Sequence, residues 1–156
     1  MRYYFQLLRW NKPSGRLILL IPAGWSLWLT PSAPPSLFIL GLIILGGLLV
    51  SGAGCIANDI WDRQFDKKVA RTKERPLANE KVSLRSAWIL LTLFLFFSLF
   101  IVLSIPIDSR SLCLQLASLA LPFILFYPSA KRWFKYPQLI LSICWGFSVL
   151  IPWAAS

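Results

Sequence analysis

Leu37-Phe38-Ile39-Leu40-Gly41-Leu42-Ile43-Ile44-Leu45-Gly46-Gly47-Leu48-Leu49-Val50-Ser51-Gly52-Ala53-Gly54-Cys55-Ile56-Ala57 runs without a break into Asn58-Asp59-Ile60-Trp61-Asp62-Arg63-Gln64-Phe65-Asp66. The uncharged part is long enough to cross a hydrocarbon core, which takes ~20 residues as a helix. Carboxylates then appear all at once: of six acidic residues in the chain, three fall between Asp59 and Asp66. If the helix continues through them, spacings of three and four place Asp59, Asp62 and Asp66 on one face about 100° wide, with Asn58 beside Asp62. Like charges on one face raise one another's pKa, so such a face is kept cheaply only with a cation against it. Hard oxygen donors in a chain with no His suit magnesium, which takes one or two carboxylates and completes its shell with water and phosphate oxygens. Two readings are open at this point. One is a diphosphate-binding metal site; the other is a solvated interfacial face in which Asp62 pairs with Arg63 and Asp66 with Lys67.

Working outward, a chain of 156 residues with 57% hydrophobic and 14% charged residues has the composition of a polytopic membrane protein rather than a soluble domain. Charges and prolines cut it into five uncharged segments: Leu17 to Thr30, Leu37 to Ala57, Ser86 to Ile105, Ser111 to Ala130 and Tyr136 to Ala155. The first is short, and is expected to begin earlier, through Leu7 and Leu8, with its basic side chains reaching the interface. Trp10, Trp25, Trp28, Trp88, Trp133 and Trp153 lie near segment ends, as an aromatic belt requires. The expectation is a single all-α membrane unit over residues 1–156, of about five transmembrane helices. No small-residue cleavage pattern follows the first apolar run, so no cleavable signal peptide is expected. Cys55, Cys113 and Cys144 each sit in an apolar run without metal-ligand spacing and read as small packing residues.

Fifteen of the sixteen Lys and Arg residues fall in three places: the N-terminal segment, the Asn58 to Arg85 loop and the Lys131 to Lys135 loop. The positive-inside rule puts these three, and the N-terminus, on the cytoplasmic side; the membrane expected is the plasma membrane of a bacterium. The net charge of +10 suits both anionic lipid headgroups and a diphosphate, and no basic stripe outside the membrane-adjacent loops points to nucleic acid. Gly47, Ser51 and Cys55 recur every four residues on the helix face leading down to Asn58, Asp62 and Asp66, where they serve close helix packing or a substrate groove. Arg9, Lys12 and Arg16 repeat the three-then-four spacing and are expected to form one cationic face of the first helix, a candidate to complete the site that is explained equally well as topogenic charge.

The series Asn58-Asp59-x-x-Asp62-x-x-x-Asp66, followed by Arg71-Thr72-x-x-Arg75-Pro76-Leu77, resembles the first aspartate-rich motif and adjoining loop of the UbiA-type membrane prenyltransferases. Within that superfamily it looks most like 4-hydroxybenzoate polyprenyltransferases of the cyanobacterial, solanesyl-transferring kind. Tyr127-Pro128-x-x-Lys131-Arg132 resembles a family element that holds diphosphate, and the likeness returns at Pro137-Gln138-Leu139 and Trp145-Gly146.

The resemblance implies an intramembrane transferase, in quinone biosynthesis of the ubiquinone or plastoquinone type. Its Mg2+ would sit on Asn58, Asp59, Asp62 and Asp66, with Asp62, Asp66 and Arg63 carrying catalysis. Arg63, Arg71, Arg75, Lys131 and Arg132 would bind the diphosphate of a polyprenyl donor, with Tyr127 as a helper. The acceptor implied is an aromatic ring such as 4-hydroxybenzoate, alkylated where water is excluded. Family members form a helical bundle of about nine transmembrane helices, with a second aspartate-rich motif in the other half. Here Asp108 is the only acidic residue after Glu80. The chain is therefore expected to be the first half of such a fold, truncated or completed by a separate C-terminal half, with a non-catalytic membrane scaffold as the alternative.

Overall fold

The computed structural model describes residues 1–12 and 14–156. Among them there is no strand, and the helices in chain order are α1 (Arg2–Leu7), α2 (Ser14–Trp28), α3 (Leu37–Asp66), α4 (Leu84–Leu103), α5 (Ile107–Trp133) and α6 (Pro137–Ala155). Four of these, α3 to α6, are long and apolar enough to cross a membrane. The fifth expected span needs correction. α2 has 15 residues, about 22 Å of helix, and does not continue back through Leu7 and Leu8. Instead α1 ends at Leu7 and the chain turns, with Arg9 in the left-handed region at φ 54°. Lys12 precedes a proline in the sequence, which disfavours helical backbone there.

Local chemistry sets the other boundaries. Ser36 and Ser83 are the N-caps of α3 and α4; their hydroxyls accept from the Ile39 and Ser86 amides at 3.2 and 3.0 Å. Pro137 opens α6, where its missing N–H costs nothing. At 1.5 Å per residue the 30 residues of α3 run about 45 Å, some 15 Å beyond a ~30 Å hydrocarbon core. The excess is the segment that carries Asn58 to Asp66, so the carboxylates stand at the membrane surface without a break in the helix.

α3 packs against α2, α4 and α5, while α6 packs against α2 and α5, so α2, α3, α5 and α6 close a ring with α4 beside it. The buried core is in two parts. Leu7, Ala53, Ile56, Leu77, Ala87 and Leu91 gather at the aspartate end. Ala23, Leu27, Ile43, Ile105, Cys113 and Ala155 gather at the other. A cavity of about 700 Å³ lies along the bundle, walled by α2 to α6. At the far end the Thr30 and Ser156 hydroxyls meet at 2.7 Å, so the α2–α3 turn and the end of α6 share one side of the bundle. Outward-facing side chains such as Phe96, Phe97 and Phe100 leave α4 with the apolar exterior that lipid requires.

Candidate functional site

The far end of α3 presents its polar residues in two directions. Seven residues, just under two turns, separate Asp59 from Asp66, and both lie against the α3–α4 loop. Asp62 and Asn58 are rotated toward α5. Arg75, from the loop, donates through Nη1 to Asp59 Oδ1 at 3.2 Å and to Asp66 Oδ2 at 2.7 Å. Arg9, from the turn after α1, donates to the same Asp59 Oδ1 at 3.0 Å. On the other side, Lys131 donates to Asn58 Oδ1 at 2.8 Å and lies 3.6 Å from Asp62 Oδ2, while Arg132 donates to Asp62 Oδ1 at 3.2 Å. Three carboxylates thus meet four cations, all drawn from distant segments. The solvated face with Asp62–Arg63 and Asp66–Lys67 pairs is not what forms. Asp59 and Asp66 are buried, and a buried carboxylate persists only when paired.

The loop that carries Arg75 is itself anchored. Leu77, Ala78 and Val82 are buried, Thr72 donates to the Asp66 carbonyl at 3.3 Å, and Asn79 caps the turn at Lys81. Arg63 points into this loop, donating to the Leu77 carbonyl at 3.3 Å and pairing with Glu80 at 3.5 Å beside Lys67 at 2.6 Å. It therefore braces the loop from the rim of the carboxylate cluster. Arg71 is exposed and makes no ion pair among the described residues. Arg132 is held from three sides: it lies 4.2 Å over the Phe65 ring, donates to the Trp61 carbonyl, and contacts Asp62. Trp61 is fixed in turn by donation to the Leu125 carbonyl at 2.9 Å. Tyr127 sits under Lys131, with its ring centroid 5.2 Å from Nζ.

Arg9 reaches this site by a route that its spacing does not show. Its spacing to Lys12 and Arg16 suggests a helical face, and the structure replaces that face with a turn that sends Arg9 alone to Asp59, 50 residues away. Arg16 is buried; it stacks on Trp10 at 4.5 Å and donates to the carbonyls of Leu8 and Arg9. Burial works against the Arg9 charge, but the Asp59 carboxylate outweighs it and holds the guanidinium above its ordinary range.

The 700 Å³ cavity reaches the edge of this charged cluster: Arg9, Asn58 and Tyr127 line it together with apolar and small residues deeper in the bundle, while the three carboxylates lie just outside its wall. Gly47, Ser51 and Cys55 face it as well, while Gly47 also abuts Leu20 so closely that a Cβ there would lie 2.6 Å from it. The small-residue stripe therefore serves packing and groove at once. For a metal, the donor chemistry fits Mg2+: Asn58 and Asp62 offer oxygens side by side, and this ion asks for only one or two carboxylates. Among the described residues no three acidic, His or Cys side chains converge on one point, because each carboxylate is turned toward a cation.

Fold and site define an integral membrane helical bundle with a charged mouth over an apolar chamber. The UbiA prenyltransferase family profile matches residues 19–156, and the chain belongs to that family. It is 47% identical over 149 residues to a 4-hydroxybenzoate solanesyltransferase of Synechocystis sp., covering 96% of this chain and 50% of that protein. To a 4-hydroxybenzoate octaprenyltransferase of Legionella pneumophila it is 43% identical, covering 97% and 51%. The chain thus spans about half the length of the relatives it matches. In fold it superposes on a UbiA homolog from Archaeoglobus fulgidus bound to GPP and Mg2+ with a TM-score of 0.78 at 20% identity, over 97% of this chain and 53% of that one.

Proposed function

We propose that this chain supplies the donor-binding part of a polyprenyltransferase that moves a polyprenyl group from its diphosphate to an aromatic acceptor such as 4-hydroxybenzoate. One observation carries the reading: three carboxylates and four cations assemble beside an apolar cavity of about 700 Å³, with Arg9 and Asn58 reaching its wall. A molecule with a diphosphate head and a hydrocarbon tail has that division of chemistry. The names of the solanesyl- and octaprenyltransferase relatives support the donor class and the acceptor.

Arg75, Lys131 and Arg132 bind the diphosphate through the N–H donors that their carboxylate contacts leave free, and Arg9 joins them from the turn after α1. Tyr127 lies at the boundary of head and tail. Arg71, exposed on the loop, and Arg63, braced beneath it, form the outer cationic ring. Held by Asn58 and Asp62, with Asp66 one turn further along α3, Mg2+ would withdraw negative charge from the departing diphosphate. The apolar cavity holds the tail and keeps water from the reacting carbon. The site faces the cytoplasm of the plasma membrane, where a water-soluble acceptor is at hand, and a complementary C-terminal half, in the same or a separate polypeptide, completes it.

Calorimetry in detergent tests the reading. A polyprenyl diphosphate should bind with Mg2+ and bind more weakly in EDTA, and Asp62→Ala with Asp66→Ala should remove the Mg2+-dependent part. Equal binding by wild type and the double variant would reduce the carboxylates to counter-ions.

A further inference from the structure

We infer that Asp59 is a positioning residue, the shared anchor of Arg9 and Arg75, and not a ligand to a metal; the inference rests on reading the mouth as a diphosphate site. Every side-chain contact to Asp59 ends on one atom. Arg9 Nη2 donates to Oδ1 at 3.0 Å, Arg75 Nη1 at 3.2 Å, and Asn58 Nδ2 approaches at 3.5 Å. Two guanidinium groups repel one another, and it is the carboxylate that holds both within reach of the same oxygen. Its side chain is 3% exposed, against 19% for Asp62, whose partners come from α5 on the more open side. A metal brought to this carboxylate would stand against both guanidinium groups, and drawing them off would leave a buried carboxylate unpaired, which is the costly direction.

The rest of the network fits an anchor. The turn around Arg9 is fixed twice: through its backbone, whose carbonyl and that of Leu8 accept from the buried Arg16, and through its side chain on Asp59. Arg75 is fixed twice as well, by Asp59 and by Asp66 at 2.7 Å. Asp59 thereby joins segments 50 residues before it and 16 after it at the cavity mouth. Their guanidinium groups are ordered before an anion arrives, so less freedom is lost on binding.

The test uses the 156-residue chain in detergent, with Asp59→Asn and Asp62→Asn, and two readouts. Amide hydrogen exchange should rise in Asp59→Asn both in the turn around Arg9 and in the loop around Arg75, and in neither for Asp62→Asn. Binding of inorganic pyrophosphate should weaken about tenfold in Asp59→Asn, the effect of one lost charge-assisted contact, equally with Mg2+ and in EDTA. The Mg2+ midpoint should stay where it is in wild type and move only for Asp62→Asn. Asp59→Glu, which keeps the charge, should restore part of both signals and stands in if Asp59→Asn does not fold. A raised Mg2+ midpoint in either Asp59 variant, with metal-free affinity unchanged, would make Asp59 a ligand; unchanged exchange in both segments would remove the anchor. If wild type binds no pyrophosphate under either condition, the diphosphate reading itself fails, while hydrogen exchange still decides whether Asp59 joins the two segments.

Discussion

Arg132 shows how a single side chain is aimed at this site. Its guanidinium carbon lies 4.2 Å from the centre of the Phe65 ring, and its donors reach the Trp61 carbonyl and Asp62. A lysine keeps the charge but has neither the flat face nor the fork. Arg132→Lys should therefore weaken pyrophosphate binding several-fold, and Phe65→Leu should move it in the same direction, both read by calorimetry with Mg2+ present. Unchanged affinity in both would make the stack incidental. Glu80 gives a second test at this scale. Its hydrogen bond with Lys67, and after it the charges of Lys67 and Arg63, hold its carboxyl below the ordinary value of about 4.5. A depressed folded value means that the loop contact is fully present above about pH 4.5 and is lost as pH falls through the lowered value. Proteolysis within the α3–α4 loop should accordingly accelerate on acidification below pH 4.5, and less so in Glu80→Gln. At this scale the sequence was informative about α3 and α5: Asn58, Asp62, Asp66, Lys131 and Arg132 lie where their spacing and motifs suggest. It offered Arg9 only as part of a helical cationic face, because a positive-φ turn has no periodicity to read and the partner is 50 residues away.

Helices here carry two tasks at once, and the glycines of α3 separate them. Gly52 meets the Phe94 ring and Leu8, so a Cβ has nowhere to go; Gly54 has only Ile124 nearby, at 3.9 Å, and lines the cavity. Gly52→Ala is expected to cost about 1–3 kcal/mol through forced repacking, read as a lower thermal midpoint in detergent. Gly54→Leu is expected to fold, to keep pyrophosphate affinity, and to lose affinity for a long polyprenyl diphosphate, since its side chain enters the space assigned to the tail. Equal losses for pyrophosphate and for the long donor would place the tail elsewhere. The apolar runs of α3 to α6 could be read directly, because length and lack of charge suffice. α2 was harder to bound: Leu7 and Leu8 carry no sign that the helix breaks just after them, although the proline after Lys12 does, and Arg16 holds the carbonyls of the turn.

The whole molecule is electrically one-sided. Contacts from Arg9 and Lys131 to α3 gather the N-terminal turn, the α3–α4 loop and the α5–α6 loop at one end, with fifteen of the sixteen basic residues; the Thr30–Ser156 contact marks the other. Placed by the positive-inside rule, Lys73→Cys in a cysteine-free background should react with an impermeant reagent only in opened cells, and Asp108→Cys in intact ones. The reverse would invert the topology. Charge balance at the mouth gives the last expectation. Arg9, Arg75, Lys131 and Arg132 face three carboxylates, a surplus of one cation before any ligand binds. A diphosphate brings more negative charge than that surplus offsets, and its charge grows at the leaving oxygen as the bond to carbon breaks. Losing one preorganised contact of this kind costs roughly 10²- to 10³-fold in rate. The 156-residue chain, spanning half the length of its relatives, is therefore expected to bind pyrophosphate yet transfer no labelled polyprenyl group to 4-hydroxybenzoate by itself. Co-expression with the C-terminal half of a full-length relative should restore transfer, and Asp62→Ala should abolish it again. Turnover by the isolated chain would mean that these four cations and one carboxylate cluster suffice, and no transfer in the combined preparation would argue against a shared active site.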